Sequence, residues 1–199
     1  HPKTSWQIDP FGASKEVASI YTMMNYDLHV VNRGQNPKGE YIFKANNDAN
    51  TRIFTTVLHQ HYSAPDGFDF EKPRNDITEK NAAKKAKKFV DIVKGWNEDY
   101  GNTNNVLVPM GNDMKYKNAE NWYVNMEKLI AEVTDKYPDV NVFYSSPDCY
   151  AKAVNSMNKT FPERDTDCLT VMTGYYTSRP SLKLLDRRTN NILQVNNHF

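Results

Sequence analysis

Two cysteines in 199 residues, Cys149 and Cys168, are too few for a disulfide framework and wrongly spaced for a structural zinc site. They neither require nor exclude an oxidising compartment. A charge excess of either sign is also missing: 25 Lys and Arg against 24 Asp and Glu leave a formal net charge of +1, and no basic block is longer than "KKAKK" (Lys84 to Lys88). That balance offers no electrostatic footprint for nucleic acid, and the short run reads as the solvated face of a helix. No apolar stretch reaches the roughly 18 residues of a membrane span, and the opening "HPKTSWQID" has neither the charged nor the apolar region of a signal peptide. A soluble chain with no address of its own is therefore expected. Internal repeats and low-complexity segments are missing too.

What is present is the composition of one globular domain: 39% apolar, 12% aromatic and 25% charged residues, in a chain long enough to bury roughly 70% of its extended surface. Short apolar runs alternate with helical spacing. "SWQID" reads as a strand, Ser14 as the cap of the helix "KEVASIYTMMN", and "LHVVNR" as the next strand, which makes a β-α-β unit. "RIFTTVLH" is strand-like. "EKNAAKKAKKFVDIVKGWNEDY" has helical spacing through Ala82, Ala86, Phe89, Val93 and Trp96. A strand "NNVLVPMG", a helix "NAENWYVNMEKLIAEVTDKY" and a strand "VNVFYSS" follow, and the last stretch, from Ser178, spaces its apolar residues as a helix. This rhythm predicts an α/β fold, a parallel sheet flanked by helices, with ligands beyond the C-terminal strand ends. Asp9, Arg33, the "HQHY" after Leu58 and the "GND" after Met110 all fall at such ends. "YSAPDGFDFEKPRND" (Tyr62 to Asp76) has the Pro, Gly and Asp content of a surface loop rimming a site.

Asp9 stands out within "WQIDPFG". A carboxylate after Trp6 and Ile8 is expected at the buried end of a strand, where ionisation is costly unless a cation or hydrogen bonds compensate. By residue type alone it reads as a helix-cap or strand-end carboxylate as well as a catalytic one. His59 and His61 in "HQHY" lack the third ligand that a metal pair would need. Asn158-Lys159-Thr160 is an N-glycosylation triplet, used only in the secretory pathway and also frequent by chance.

"WQIDPFG", "VLHQHY", "VPMGNDMKYKNAENW", "VFYSSPDCY", "NKTFP" and "TGYYTSRPSLK", in that order, resemble the catalytic α/β domain of glycoside hydrolase family 38, the α-mannosidases, and more the lysosomal than the Golgi branch. The resemblance implies a partial, barrel-like family 38 catalytic domain over residues 1–180 and the start of a following helix over 181–199. It implies a zinc-dependent, retaining hydrolysis of terminal α-mannosyl residues of N-glycans or oligosaccharides, in a lysosome or secretory-pathway lumen. The alternative it leaves is a catalytically incomplete fragment or non-catalytic glycan-binding relative, because the family's other zinc ligands are expected outside this chain.

By the same resemblance Asp9 is both nucleophile and zinc ligand, and a zinc ion would keep it ionised despite burial. Anchoring on "NKTFP" makes Asp167 the candidate general acid, or a surface-loop Asp. Phe11 matches an aromatic lining the sugar pocket, or else packs under a turn. Arg33 matches an Arg near the nucleophile, or is an exposed strand-end Arg. Tyr62 matches a Tyr that points at the catalytic carboxylates, or packs on the rim. Asp113 matches a motif near the sugar pocket, with loop capping as its other reading. Ala13 replaces a His usual in the family.

Overall fold

In a computed structural model, which describes residues 1–33, 39–46 and 51–197, three strands lie side by side and parallel: β1 (Thr4–Gln7), β3 (Leu28–Val31) and β5 (Arg52–Val57). β4 (Glu40–Lys44) runs antiparallel to β5, and the two-residue β6 (Glu163–Arg164) runs parallel to β4. The order is β1-β3-β5-β4-β6, so the described sheet is mixed, mostly parallel and open. A second, two-stranded sheet joins β2 (Gly12–Ala13) to β7 (Cys168–Leu169).

The sheet divides its side chains by strand period. Leu28 and Val30 face a cluster with Tyr150, Ala151 and Val154 of α4 (Pro147–Asn155). Val31 turns to the other face, with Tyr41, Phe43, Ile53, Val57 and the buried Ala18 of α1 (Val17–Met23). All four residues of β3 are buried, as a central strand covered on both faces requires. Ser14 is not the cap of α1, whose cap position is Glu16 without a side-chain cap; its hydroxyl accepts the Glu16 N–H at 3.3 Å in the turn just before the helix.

A separate apolar layer lies between α2 (Ala82–Asp99) and α3 (Ala119–Lys136). Ala86, Phe89 and Val90 of the first meet Trp122, Met126, Leu129 and Val133 of the second. Helical spacing makes each set a stripe on one face. The basic run of α2 stays outside, except that Lys85 donates to the Gly67 carbonyl at 2.7 Å. After the one-turn α5 (Gly174–Thr177), the last helix, α6 (Pro180–Asn197), is exposed throughout; His198 and Phe199 lie outside the described residues.

Several expectations need correction. Residues 62–76 are not a surface loop: Phe68 and Phe70 are 0% and 1% exposed and pack into the α2/α3 layer. The polar backbone they drag inward is paired by α3, where Asn125 accepts the Ile77 N–H at 2.6 Å and Asn121 donates to the Phe70 carbonyl at 2.7 Å. "NNVLVPMG" and "VNVFYSS" form no ladder among the described residues. Val108, Met110, Val140 and Val142 instead lay their side chains on the α2/α3 layer, so burial is satisfied without strand pairing. β4 and α4, which sequence reading passes over, are regular. In β1 the inward residue is Ser5, and Trp6 is 44% exposed on this edge strand.

Candidate active site

Because β1, β3 and β5 are adjacent and parallel, the residues just past their C-terminal ends emerge on one side of the sheet. Asp9, Arg33 and Tyr62 are those residues, and they meet. Arg33 Nε donates to Asp9 Oδ1 at 2.5 Å, and a second guanidinium nitrogen donates to the Tyr62 hydroxyl at 3.2 Å. The Tyr62 hydroxyl lies 3.0 Å from Asp9 Oδ1 and 3.3 Å from Asp113 Oδ2, so its one proton has two carboxylate acceptors. The two contacted carboxylate oxygens are separated by no more than the sum of those contacts, about 6.3 Å. Sequence left Asp113 between a place near the sugar pocket and a loop-capping role, and the structure sets it beside Tyr62. The signal that finds it is its place after the apolar run 106–110, the kind of position that Asp9 holds after β1.

Phe11 completes the cluster. The Arg33 guanidinium carbon sits 5.1 Å from the centre of its ring, within cation–π range. The backbone around Phe11 is held on both sides: its N–H donates to the Tyr176 hydroxyl at 2.7 Å, and its carbonyl accepts from the Thr170 hydroxyl at 2.7 Å. Gly12 follows at φ +107°, where an added Cβ would lie 2.2 Å from the Cys168 carbonyl oxygen. Only glycine lets β2 close on β7 so tightly. A cavity of about 170 Å³, lined in part by Pro10, Gly12, Arg33 and Tyr176, adjoins this turn.

The structure keeps Asp167 out of this cluster. Its Oδ1 accepts the Lys15 N–H at 2.8 Å and the Ser14 hydroxyl at 3.3 Å, which fastens the approach to β7 onto the turn that opens α1. His59 and His61 diverge: His59 stacks on Trp96 and contacts Asp99 at 2.6 Å, while His61 lies against the Tyr62 ring.

Asp9 is not buried as expected; its side chain is 59% exposed. The Arg33 guanidinium holds its carboxyl below the usual carboxylate range against the opposing effect of burial, and the Tyr62 hydroxyl adds to the lowering. An exposed pair of this kind contributes little to stability, so its value lies in orientation. Burial pushes the Tyr62 phenol above its ordinary value, which keeps it a proton donor. No group of three His, Cys, Asp or Glu converges among the described residues, but Asp9 Oδ2 makes no hydrogen bond and remains open to a cation.

The model of the glycosyl hydrolases family 38 N-terminal domain matches residues 1–171. The chain belongs to that family. Within family 38 it is 35% identical to the lysosomal alpha-mannosidase of Dictyostelium discoideum over 98% of its own length, and 31% identical to those of Cavia porcellus and Homo sapiens over all of it. In each case it spans 22% of the relative's length. The mixed sheet flanked by helices is the α/β architecture expected of this family 38 domain, and no described helix is long and apolar enough to cross a membrane.

Proposed function

We propose that this family 38 chain carries the two reacting carboxyls of a retaining α-mannoside hydrolase, Asp9 as nucleophile and Asp113 as proton donor. The observation that carries the reading is the Tyr62 hydroxyl shared between them. Retaining glycosidases hold their carboxyls about 5–5.5 Å apart and inverting ones about 6.5–9.5 Å. The shared contact holds one oxygen of Asp9 within about 6.3 Å of one oxygen of Asp113, a spacing compatible with the retaining arrangement. Their surroundings assign the roles, because Arg33 binds Asp9 and not Asp113. Asp9 is held ionised, as attack on an anomeric carbon requires, and Asp113, which has no guanidinium partner among the described residues, is the second carboxyl facing it and is placed to serve the leaving oxygen.

Arg33 also fixes the carboxylate plane, and Tyr62 ties nucleophile, acid and guanidinium into one unit. Phe11 offers a half-exposed aromatic face beside Asp9 for an apolar sugar face. Zinc, implied by the family, would take the Asp9 carboxylate as its ligand here through the open Oδ2. When bound, it would supply positive charge that favours the ionised carboxylate and polarises sugar hydroxyls. The names of the relatives support terminal α-mannosyl residues of glycans as substrate, and a lysosome or secretory lumen as location. The lone carboxylate ligand also favours a second reading, a glycan-binding chain without turnover of its own.

Release of the aryl group from an aryl α-mannoside, measured with and without added zinc, tests this. Asp9→Asn and Asp113→Asn should each lower kcat by roughly 10²–10⁴-fold, the range for losing a positioned proton-transfer group or nucleophile partner. Asp167→Asn should leave it unchanged. Full activity in Asp113→Asn with loss in Asp167→Asn would overturn the assignment. Mannoside binding by the folded chain with no turnover under any metal supports the second reading.

A further inference from the structure

The cavity beside the β2–β7 turn contains a group that the proposed chemistry leaves idle. His29 of β3 lines it and is 1% exposed. Its Nδ1 lies 3.0 Å from the Ser5 hydroxyl, while its Nε2 is buried with no hydrogen-bond partner among the described residues. A buried polar atom without a partner is costly and uncommon in a native interior. The cavity, about 170 Å³, is more than ten times the roughly 10–15 Å³ that a single water needs, so it is of ligand size.

The lining groups define what fits. Val17, Val31 and the Tyr21 ring give apolar walls, and Arg33 is the one ionic side chain among the described residues that line the cavity. Its charge is already met by Asp9; two of its N–H groups are committed to Asp9 and Tyr62, and the rest of the guanidinium is left to donate. At the exposed end the Tyr176 hydroxyl accepts the Phe11 N–H and keeps its own proton to donate, and the Gln7 amide makes no hydrogen bond among the described residues. At the buried end the Ser5 hydroxyl can donate to Nδ1 or accept from it, and that choice makes Nε2 a donor or an acceptor. A ligand hydroxyl meets Nε2 in either state. A carboxylate meets only the donor, and it brings a charge beside an imidazole that burial keeps neutral, its value pushed down to about 4.

We propose that this cavity binds a small uncharged sugar, a monosaccharide with one hydroxyl on His29 Nε2, an apolar ring face against Tyr21 and outer hydroxyls on Gln7, Arg33 and Tyr176. It lies on the α1 side of the sheet, and of the Asp9 cluster only Arg33 lines it, so it is a second sugar site apart from the place of bond cleavage. The cavity chemistry stands on the fold; mannose as the sugar rests on the functional reading, in which it is the product.

The test is titration of the nitrogen-15-labelled chain, His1–Phe199, with D-mannose at neutral pH, reading the His29 ring nitrogens by long-range proton–nitrogen correlation and the Val31 amide in parallel. A saturable shift of Nε2 is expected, with Nδ1 following it. His29→Phe, which keeps a ring against Tyr21, and Ala13→Leu, which fills the cavity from β2, should each weaken binding at the Val31 amide by roughly tenfold or more, as for a lost buried hydrogen bond or a blocked site. A His29 ring that mannose leaves unmoved, or a shift undiminished in Ala13→Leu, overturns the proposal. A shift produced by sodium acetate and not by mannose overturns the choice of an uncharged ligand. If a variant fails to fold, the ring shift in the unaltered chain decides. Mannose held only at the Asp9 cluster would move Phe11 and not His29, which sinks this site and leaves the mannosidase reading standing.

Discussion

Replacing Glu40 with Gln is expected to remove a pH dependence of folding that this one side chain imposes. Glu40 sits on β4 and is 6% exposed; its Oε1 accepts a hydrogen bond from the Tyr150 hydroxyl of α4, and its Oε2 is buried without a partner. Burial pushes its carboxyl up from 4.5 to about 7, and the Tyr150 hydrogen bond and the Lys159 charge offset only part of that. The folded value lies above the unfolded one, so the folded state binds the extra proton between them. Stability is then fully present below about pH 4.5 and falls as pH rises through 7. With 1.36 kcal/mol per unit, the loss across that window is about 3 kcal/mol. Gln keeps the Tyr150 contact and cannot ionise. Urea unfolding of both proteins from pH 4.5 to 8 should show similar midpoints at the acid end and a more stable variant, by about 3 kcal/mol, at the alkaline end. Parallel curves over the whole range would refute the reasoning.

The difference between the two proteins is the quantity to read, because His29 slopes the other way. Buried at 1% exposure between Ser5 and Tyr21, it is pushed down from 6.5 to about 4, so its contribution is full above pH 6.5 and is lost as pH falls toward 4. His29→Gln should therefore flatten the acid side of the urea midpoint series, and an unchanged acid limb would count against it. Gly12→Ala should lower the thermal midpoint and loosen the β2–β7 closure that holds Phe11, since its Cβ would strike the Cys168 carbonyl oxygen at 2.2 Å. Faster amide exchange at Ala13 and Leu169 is the measurement, and unaltered exchange would show that the turn relaxes without cost.

Local pattern reached far into this protein. The short apolar runs "LHVV" and "RIFTTV" are consequences of burial in a central sheet and the helical stripes of α2 and α3 of burying one face, and those elements form where that pattern demands. The same logic placed Asp9, Arg33 and Tyr62 at strand ends, so parallel adjacency was enough to bring them together. It failed where burial could be met in more than one way. Val108 and Val142 look like strand residues because they sit in short apolar runs, yet packing on helices satisfies them without a ladder. Phe68 and Phe70 hide in a segment of turn residues, because Asn121 and Asn125 of a distant helix pair the backbone that goes inside with them.

Most element types, the family resemblance and the strand-end places of Asp9, Arg33 and Tyr62 were legible in sequence, because each follows from residues close together in the chain. Which second carboxyl faces Asp9 was decided only by tertiary structure. Tyr62 joins Asp9 and Asp113 across 53 and 51 positions of chain, while Asp167 is taken up by Ser14 and Lys15. No local periodicity carries that choice, since a hydrogen bond between remote segments exists only after the sheet and the α2/α3 layer have set where each loop ends. The same is true of the charge on Asp9: its neighbours in sequence point to a dry strand end, and the fold instead gives it water and a guanidinium.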